Sequence, residues 1–483
     1  MHKYKRFKVN KVIIANTVMV LAVVLIVSVL VLITMGYSLT RDGRVEQTGL
    51  VQLASVPSSA TVRVDGETQF SKTTTKATLT PGEHSFAISR DGYDTWSKKV
   101  NVQPGRVLWL NYTRLLPNKK TNKTVKSYET LYKMSTSPKA QYILFLWPAP
   151  ELTAQLIDVR SDDVKVQDLQ PATFFTDLGA EGIQHDLQIK EWNKDENKVL
   201  VRHAWGERTE WVLLDLKDMS RSVNLTSEYK LSVSDVRFTS NSGDKLLMLE
   251  NGNLRRADIG NKTVSAVLVS SVLAMSRVSE NEALLITDNP TASTRSFSFY
   301  KNGDRGVSEI YSLDATKQLQ LNVVGGEYYN DDYVAIGEGS HLQILKGNYP
   351  TFGKVGTPLS HLVDITLDWP IERLELSVDK RLVYAMNGGK VYNYDLENRI
   401  GRYFTLSGTY ESAPRLHWLD NHMLWTDSGG QLEIYDFDGD NKRAVQKLEP
   451  GFDIALANKG KWLYSVVKTE TGYNLQRLRM ILE

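Results

Sequence analysis

Three aspartates at alternate positions are the most suggestive group of side chains in the chain. Asp436, Asp438 and Asp440 could supply the alternating oxygen ligands of a calcium loop. An EF-hand loop beginning at Asp436 would also need glycine at its sixth position and glutamate at its twelfth, where this chain has Asn441 and Lys447. We therefore interpret the segment as a hairpin turn, in which Asp and Gly tolerate the left-handed backbone conformation.

The histidines show no spacing that is typical of a metal or catalytic site. Eight are present, and none belongs to an H-x-H or H-E-x-x-H pair. Cysteine is absent, which excludes disulfides, thiol catalysis and zinc–thiolate sites. The G-x-S-x-G, Walker A and G-x-G-x-x-G motifs are also absent. The sequence predicts no catalytic, cofactor-binding or metal-binding residue and leaves the binding residues unknown, although two carboxylates from distant segments could still meet.

Aromatic side chains are a second source of candidate contacts. Most of the ten tryptophans lie inside or beside apolar strand cores, which favours packing over ligand binding. We expect Trp205 and Trp211, which flank a short hairpin loop, to be the exceptions that are exposed. The longer loops 287–308 and 346–358 are further candidate contact surfaces, because binding residues concentrate on loops of rigid scaffolds. The second of these loops includes the aromatic residues Tyr349 and Phe352.

Composition indicates a globular protein and argues against a nucleic-acid binder. The length of 483 residues predicts two or three domains. Hydrophobic residues make up 41% and charged residues 24%, which excludes wholesale disorder. The net charge of +2 is too small for a polyanion-binding surface.

The N-terminal segment predicts a membrane anchor. Residues 12–35 carry no charge and are rich in Val, Leu and Ile. At ~1.5 Å per residue, a helix of this length spans the hydrocarbon core of about 30 Å. The run is longer than the apolar region of a signal peptide and ends without a small-x-small cleavage site, so we favour an uncleaved helix over a cleaved signal, the alternative.

Basic residues before the helix predict its orientation. Five lysines and arginines and no acid precede it, whereas the charges that follow it cancel. The positive-inside rule then makes residues 1–11 a cytoplasmic tail, 12–35 a single transmembrane helix and the rest extracytoplasmic. So short a tail argues against a receptor with its own cytoplasmic output domain.

A small β domain is predicted over residues 50–117, after a polar linker at 38–49. Apolar residues alternate with polar ones around Val62 and Val64 and again around Val100 and Val102. Gly-containing turns separate the alternating runs. About six short strands of this kind are typical of an antiparallel sandwich.

The motifs of this segment resemble those of a PEGA domain. In the run 55–66, Pro57 and Ala60 match the Pro-Glu-Gly-Ala signature, and serines replace its Glu and Gly. Pro81-Gly82, His84 and Gly92-Tyr93 follow in the family's order, whereas 71–74 departs from its Gly-x-Thr-Pro sequence. The resemblance implies a non-catalytic module of an extracytoplasmic surface or envelope protein.

The remaining chain, 129–483, follows a polar, lysine-rich linker at 118–128 and predicts a β-propeller. Apolar strand cores recur at intervals of 37 to 57 residues, close to the 40–50 residues of a propeller blade. They begin at Tyr142, Val199, Leu246, Ala283, Tyr333, Leu382, Met423 and Trp462. We estimate eight blades, with seven as the alternative. The repeats resemble the WD40-like repeats of TolB-type propellers, and 431–446 is the best copy.

These observations together predict a mainly β, membrane-anchored protein of the bacterial cell envelope. The N-terminal transmembrane helix leads to a PEGA-like β-sandwich and then a seven- or eight-bladed β-propeller. We expect a non-catalytic binding or scaffold protein with no cofactor. Its expected partners are the lipid bilayer, through one helix, and an envelope protein or a cell-wall glycan, but not nucleic acid. The alternative is an extracytoplasmic propeller enzyme that acts on envelope glycans.

Overall fold

The chain divides into two compact units, residues 1–119 with 481–483 and residues 120–480. The computed structural model describes residues 2–39, 43–147, 152–179, 183–289, 291–315, 319–354, 358–406 and 416–482.

An apolar helix, His2–Thr34, opens the first unit. Its segment Ile13–Thr34 is long and apolar enough to cross a membrane, and its side chains are exposed along the whole length. The hydroxyls of Thr17 and Ser28 donate to backbone carbonyls four residues earlier, at 2.9 and 2.8 Å. These bonds satisfy polar groups that would be costly to leave unpaired in hydrocarbon.

The segment predicted as a linker, 38–49, contains regular structure. Tyr37–Leu39 pairs antiparallel with Val45–Gln47, and the backbone N–H of Thr48 donates to the Gly36 carbonyl at 2.8 Å. The strand Gly49–Val56 follows directly. Backbone pairing therefore begins before the hydrophobic alternation that revealed the sandwich in the sequence.

Two sheets form the small sandwich. In the first, Gly49–Val56 lies between Thr75–Leu79, which is antiparallel to it, and Val107–Arg114, which is parallel to it. The parallel pairing differs from the antiparallel arrangement that we predicted. The second sheet has the order Glu67–Thr68, Thr61–Val64, Gly82–Ser89, Trp96–Val102.

The core of the sandwich follows the alternation seen in the sequence. Val51 and Leu53 of the first sheet are fully buried, as are Val62, Ile88 and Trp96 of the second. Successive side chains of a strand point to opposite faces, so each strand contributes every second residue to the core.

The second unit is a propeller of eight four-stranded sheets among the described residues. Blades 1 to 4 consist of Lys133–Thr136, Tyr142–Leu146, Ala154–Asp158 and Lys165–Leu169; His185–Trp192, Lys198–Trp205, Arg208–Asp215 and Val223–Asn224; Val233–Phe238, Lys245–Glu250, Asn253–Asp258 and Thr263–Val264; Val272–Ser279, Glu282–Asn289, Thr294–Lys301 and Ser308–Asp314. Blades 5 to 8 consist of Leu321–Tyr328, Asp331–Glu338, His341–Gly347 and Ser360–Thr366; Arg373–Leu376, Leu382–Asn387, Lys390–Asp395 and Ile400–Thr405; Leu416–Trp418, Met423–Ser428, Gln431–Asp436 and Arg443–Lys447; Ala455–Ala457, Trp462–Thr469, Gly472–Arg479 and Asn122–Tyr128. A short helix, Leu225–Tyr229, follows blade 2.

The predicted propeller is confirmed, and each of the eight predicted strand cores falls in the second strand of one blade. The segment 118–128 differs from its prediction as a linker, because Asn122–Tyr128 pairs with Gly472–Arg479 as the outermost strand of blade 8. Most of its side chains are exposed, which explains its polar sequence.

Repeated turn chemistry links the first and second strands of the blades. In blade 1, the Ser137 hydroxyl accepts from the backbone N–H groups of Gln141 and Tyr142 at 3.1 and 3.0 Å. Asn193 and Ser240 accept equivalent pairs of bonds in blades 2 and 3. The small polar residue at this turn therefore replaces backbone partners that the strands cannot supply.

His84 holds a turn of the small sandwich and should make that turn sensitive to pH. Its ring nitrogens bond to the Asp65 carboxylate at 2.6 Å and to the Thr80 carbonyl at 2.8 Å. Burial lowers the pKa of His84, but the bond to Asp65 and the bond to the carbonyl outweigh it and leave the pKa raised. A raised folded-state pKa stabilises fully below the unfolded value of about 6.5, and that stabilisation is lost as the pH rises through the folded-state pKa.

We therefore predict that the wild type loses protection from amide hydrogen exchange in residues 61–89 when the pH rises from 6 to 8. The loss is measured relative to a His84→Gln variant at the same pH. Comparison at equal pH removes the intrinsic pH dependence of exchange. His361→Gln serves as the control, because His361 is exposed and lies in the other unit. Equal protection in the wild type and His84→Gln at both pH values would contradict the prediction.

Candidate functional site

The two tryptophans expected to be exposed are buried, which corrects that prediction. Trp205 and Trp211 are 6% and 1% exposed. They lie within the paired strands Lys198–Trp205 and Arg208–Asp215, which extend to a two-residue turn, so neither ring is on a loop. The Trp211 indole N–H donates to the Val233 carbonyl at 3.1 Å, which ties blade 2 to blade 3.

Trp205 instead covers a stack of polar side chains in blade 2. Its ring lies 4.4 Å from the His203 ring at an interplanar angle of 14°, and His203 in turn stacks on His185 at 5.2 Å and 13°. Strand register explains the arrangement: residues 203 and 205 share one face of the second strand, and His185 pairs with Trp205 on the first.

A continuous hydrogen-bonded chain runs through this stack. His203 Nδ1 lies 2.8 Å from Glu210 Oε1, and His203 Nε2 lies 2.9 Å from His185 Nδ1. Glu210 also accepts from the backbone N–H of Thr176 at 2.9 Å, from its hydroxyl at 2.7 Å, and from Asn224 at 2.6 Å. Burial raises the pKa of Glu210, but the bonds from His203 and the other donors outweigh it and leave the pKa lowered.

The ionised carboxylate fixes the protons of the stack. Because Glu210 can only accept, His203 Nδ1 donates to it. In the neutral stack His203 Nε2 then accepts, His185 Nδ1 donates, and His185 Nε2 is left as an acceptor. No partner for that nitrogen is found in the part of the chain that the structure describes. His203 and Glu210 are themselves buried, so the stack connects the strands of blade 2 and offers a ligand no open surface.

Ionisable groups also converge on the axis of the propeller. The first strands of blades 1 and 2, 4 and 5, and 5 and 6 contact each other, which makes the first strands innermost. Glu191 of blade 2 accepts from the Phe238 backbone N–H of blade 3 at 3.2 Å and lies 3.5 Å from Arg277 of blade 4. A contact that passes over a whole blade places Glu191 and Arg277 at the central channel.

Two of the channel carboxyls have perturbed acidity. Burial raises the pKa of Glu191 and of Asp235, and the nearby Arg237 offsets the effect only in part. Asp235 is paired with Arg237 at 3.2 Å. No motif marked Glu191 and Asp235 in the sequence, because each lies on the first strand of a different blade.

The remaining candidates from the sequence have structural roles. The backbone N–H of Asp436 donates to the Asp440 carbonyl at 2.9 Å, and Asp438 lies 3.3 Å from Arg402, as expected of a turn that joins strands. His417 stacks on Trp425 at 5.0 Å. Burial lowers the pKa of His422. Within the described residues, no three His, Asp or Glu side chains form a group that could hold a metal ion.

The two predicted contact loops are also more ordered than expected. Most of 287–308 is hairpin strand, since Glu282–Asn289 pairs with Thr294–Lys301. In 346–358, Tyr349 packs against Phe299 at 4.4 Å with parallel rings, while Phe352 stays partly exposed. Residues 290 and 355–357 lie outside the described residues.

Comparison with protein families identifies the small sandwich. The family model named PEGA domain matches residues 48–116. The resemblance drawn from its motifs is confirmed. No curated protein sequence matches the chain.

Solved structures share the propeller fold. An oligogalacturonate lyase in complex with manganese is 12% identical, with a TM-score of 0.40 over 72% of this chain and 98% of its own. The Dos1 propeller is 11% identical, with a TM-score of 0.45 over 74% of this chain and 96% of its own. One of two prolyl endopeptidases is 11% identical, with a TM-score of 0.46 over 74% of this chain and 56% of its own. Enzymes are thus among the structures similar to the unit that follows the PEGA domain, and this similarity concerns the fold alone.

Glu210 should be a structural residue of blade 2, and its replacement tests that role. In Glu210→Gln, an amide NH₂ must face the donors of Thr176, Asn224 or His203, which leaves a buried donor unpaired. We predict a loss of about 2 kcal/mol in the free energy of unfolding, measured by urea titration. Glu207→Gln, at the exposed tip of the same hairpin, should change it by less than about 0.5 kcal/mol. Equal stability of the two variants would contradict this role.

Proposed function

We propose that the chain is a non-catalytic, membrane-anchored binding or scaffold protein of the bacterial cell envelope. It presents the PEGA domain and the propeller to a protein or glycan partner outside the cell membrane. The observation that carries the proposal is the exposed apolar helix Ile13–Thr34, which precedes two β units in the sequence. A stretch of this length supports a single crossing of the bilayer, and propellers provide rigid scaffolds on which loops bind partners.

The internal pairing of buried charges supports a binding role. Glu210 is hydrogen-bonded to His203 in the stack of blade 2, and Arg381 is bonded to Asp395 at 3.1 and 2.7 Å in blade 6. Groups held by several partners in the core stabilise the fold and leave recognition to the surface.

Topology is the first part of the proposal to test, and the absence of cysteine makes the test clean. We predict that Ser312→Cys, at an exposed position of blade 4, reacts with a membrane-impermeant maleimide in intact spheroplasts. Lys3→Cys should react only after lysis, because the four basic residues that remain hold the N-terminus in the cytoplasm. The unsubstituted chain is the control. The reverse labelling pattern, or a mature chain that lacks the helix, would overturn the anchored topology.

A second candidate function is an extracytoplasmic enzyme that acts on envelope glycans. The raised pKa values of Glu191 and Asp235 at the channel favour it, since a carboxyl with a raised pKa is better suited to act as a general acid. Arg237 and Arg277 beside them would stabilise negative charge.

One experiment separates the two candidates. Residues 38–483, and the same fragment without 50–117, are incubated with purified cell-wall sacculi. We predict that the longer fragment sediments with the sacculi and releases no soluble glycan. Release that is abolished by Glu191→Gln would establish the enzyme instead. Absence of both binding and release would exclude a cell-wall glycan as the partner and leave a protein partner.

A further inference from the structure

Two of the open pockets formed by the described residues lie at the outer part of the propeller, and they differ in how their polar groups are bonded. The pocket between blades 1 and 2 has a volume of about 350 Å³. Its charges are largely engaged: Arg160 bonds to Asp158 at 2.5 Å, and Glu196 accepts from the Lys139 backbone N–H. The pocket of about 430 Å³ beside blade 6 is lined by Asp368, Lys390 and Tyr403, among others.

Strand register places three side chains of blade 6 on one wall of the second pocket. Lys390 pairs with Thr405, and Tyr392 pairs with Tyr403, on the two outer strands. Tyr392 belongs to the apolar core shared with blade 5. Residues two apart on a strand share a face, so Lys390, Tyr403 and Thr405 also point toward blade 5.

The opposite wall comes from the segment that leaves blade 5. It contributes Asp368, which is exposed, and Trp369, which is buried in the core between the two blades. Among the described residues, no hydrogen bond or ion pair engages the Asp368 carboxylate, the Lys390 ammonium or the Tyr403 hydroxyl. These groups therefore depend on solvent or on a ligand for their hydrogen bonds.

Tyr403 combines an open ring face with a hydroxyl that stays protonated. Its side chain is 57% exposed, and its ring lies 4.7 Å from that of Tyr392, which holds it in place. Burial and the charge of Asp368 raise the pKa of Tyr403. An aromatic face beside a carboxylate, an ammonium and hydroxyls matches a pyranose ring, which has an apolar C–H face and equatorial polar groups at its edge.

We propose that this pocket is a carbohydrate-binding site for a pyranose unit of a glycan. The Tyr403 ring stacks on the C–H face, Asp368 accepts from ring hydroxyls, and Lys390 and Thr405 donate to ring or acetamido oxygens. This proposal specifies the ligand class of the proposed binding function and rests on the partner being a glycan.

The test uses the full chain in lipid nanodiscs, titrated by calorimetry with N-acetylglucosamine tetramer and, separately, with cellotetraose. We expect binding of at least one probe. Tighter binding of the N-acetylglucosamine tetramer would indicate that Lys390 contacts the acetamido group. Equal binding of the two probes would indicate that the pocket recognises the pyranose ring alone. No binding of either probe by the wild type overturns the pocket proposal, while the anchored topology is judged independently by the maleimide labelling.

Variants separate the pocket from the rest of the surface. Tyr403→Ala should weaken binding at least tenfold, as loss of one stacking contact implies, and Tyr403→Phe should retain it within about threefold. Asp368→Asn should also weaken binding at least tenfold, since a charged acceptor is lost. Tyr329→Ala removes another exposed tyrosine, outside the pocket, and should have no effect. Binding that survives Tyr403→Ala and Asp368→Asn would place the site elsewhere and overturn the proposal.

Discussion

Closure of the ring of blades is the constraint on which the large unit depends. The second strand of each blade is largely buried on both faces, so a blade needs an apolar neighbour on each side. Pairing of Asn122–Tyr128 with Gly472–Arg479 completes blade 8 from the two ends of the unit. A core that includes Phe145 of blade 1 and Tyr464 of blade 8 then joins the last blade to the first.

Polar contacts reinforce this junction at the surface. Asp162 of blade 1 accepts from Lys461 at 2.5 Å and from the Trp462 indole at 2.7 Å, both belonging to blade 8. These bonds lower the pKa of Asp162 to about 2. Arg477 also lies over the Trp462 ring at 4.3 Å. The seam where the chain closes on itself thus has its own set of charged contacts, besides the apolar core.

Burial on both faces also explains which strands the sequence revealed. The second strand of a blade is covered on both faces, so successive residues are apolar, as in Leu382–Asn387. Such apolar runs can be recognised in a single sequence. The outermost strand is exposed and polar, which is why Asn122–Tyr128 resembled a linker. Trp205 and Trp211 were misplaced for a related reason: residues beside a turn were expected on a loop, but the strands continue to the turn itself.

The candidate functional groups could not be located in the same way, because their environment depends on contacts between segments that are distant in the sequence. Glu210 and Asp368 are both carboxylic acids, and no motif distinguishes them in the sequence. Glu210 is nevertheless enclosed by four donor groups, whereas Asp368 lines an open pocket. The difference arises from strand position. Glu210 lies on the third strand of its blade, facing the segment 172–178, whereas Asp368 lies on a connection at the outer rim. The carboxylate that faces a neighbouring segment is therefore paired internally, whereas the one on the connection is exposed to solvent.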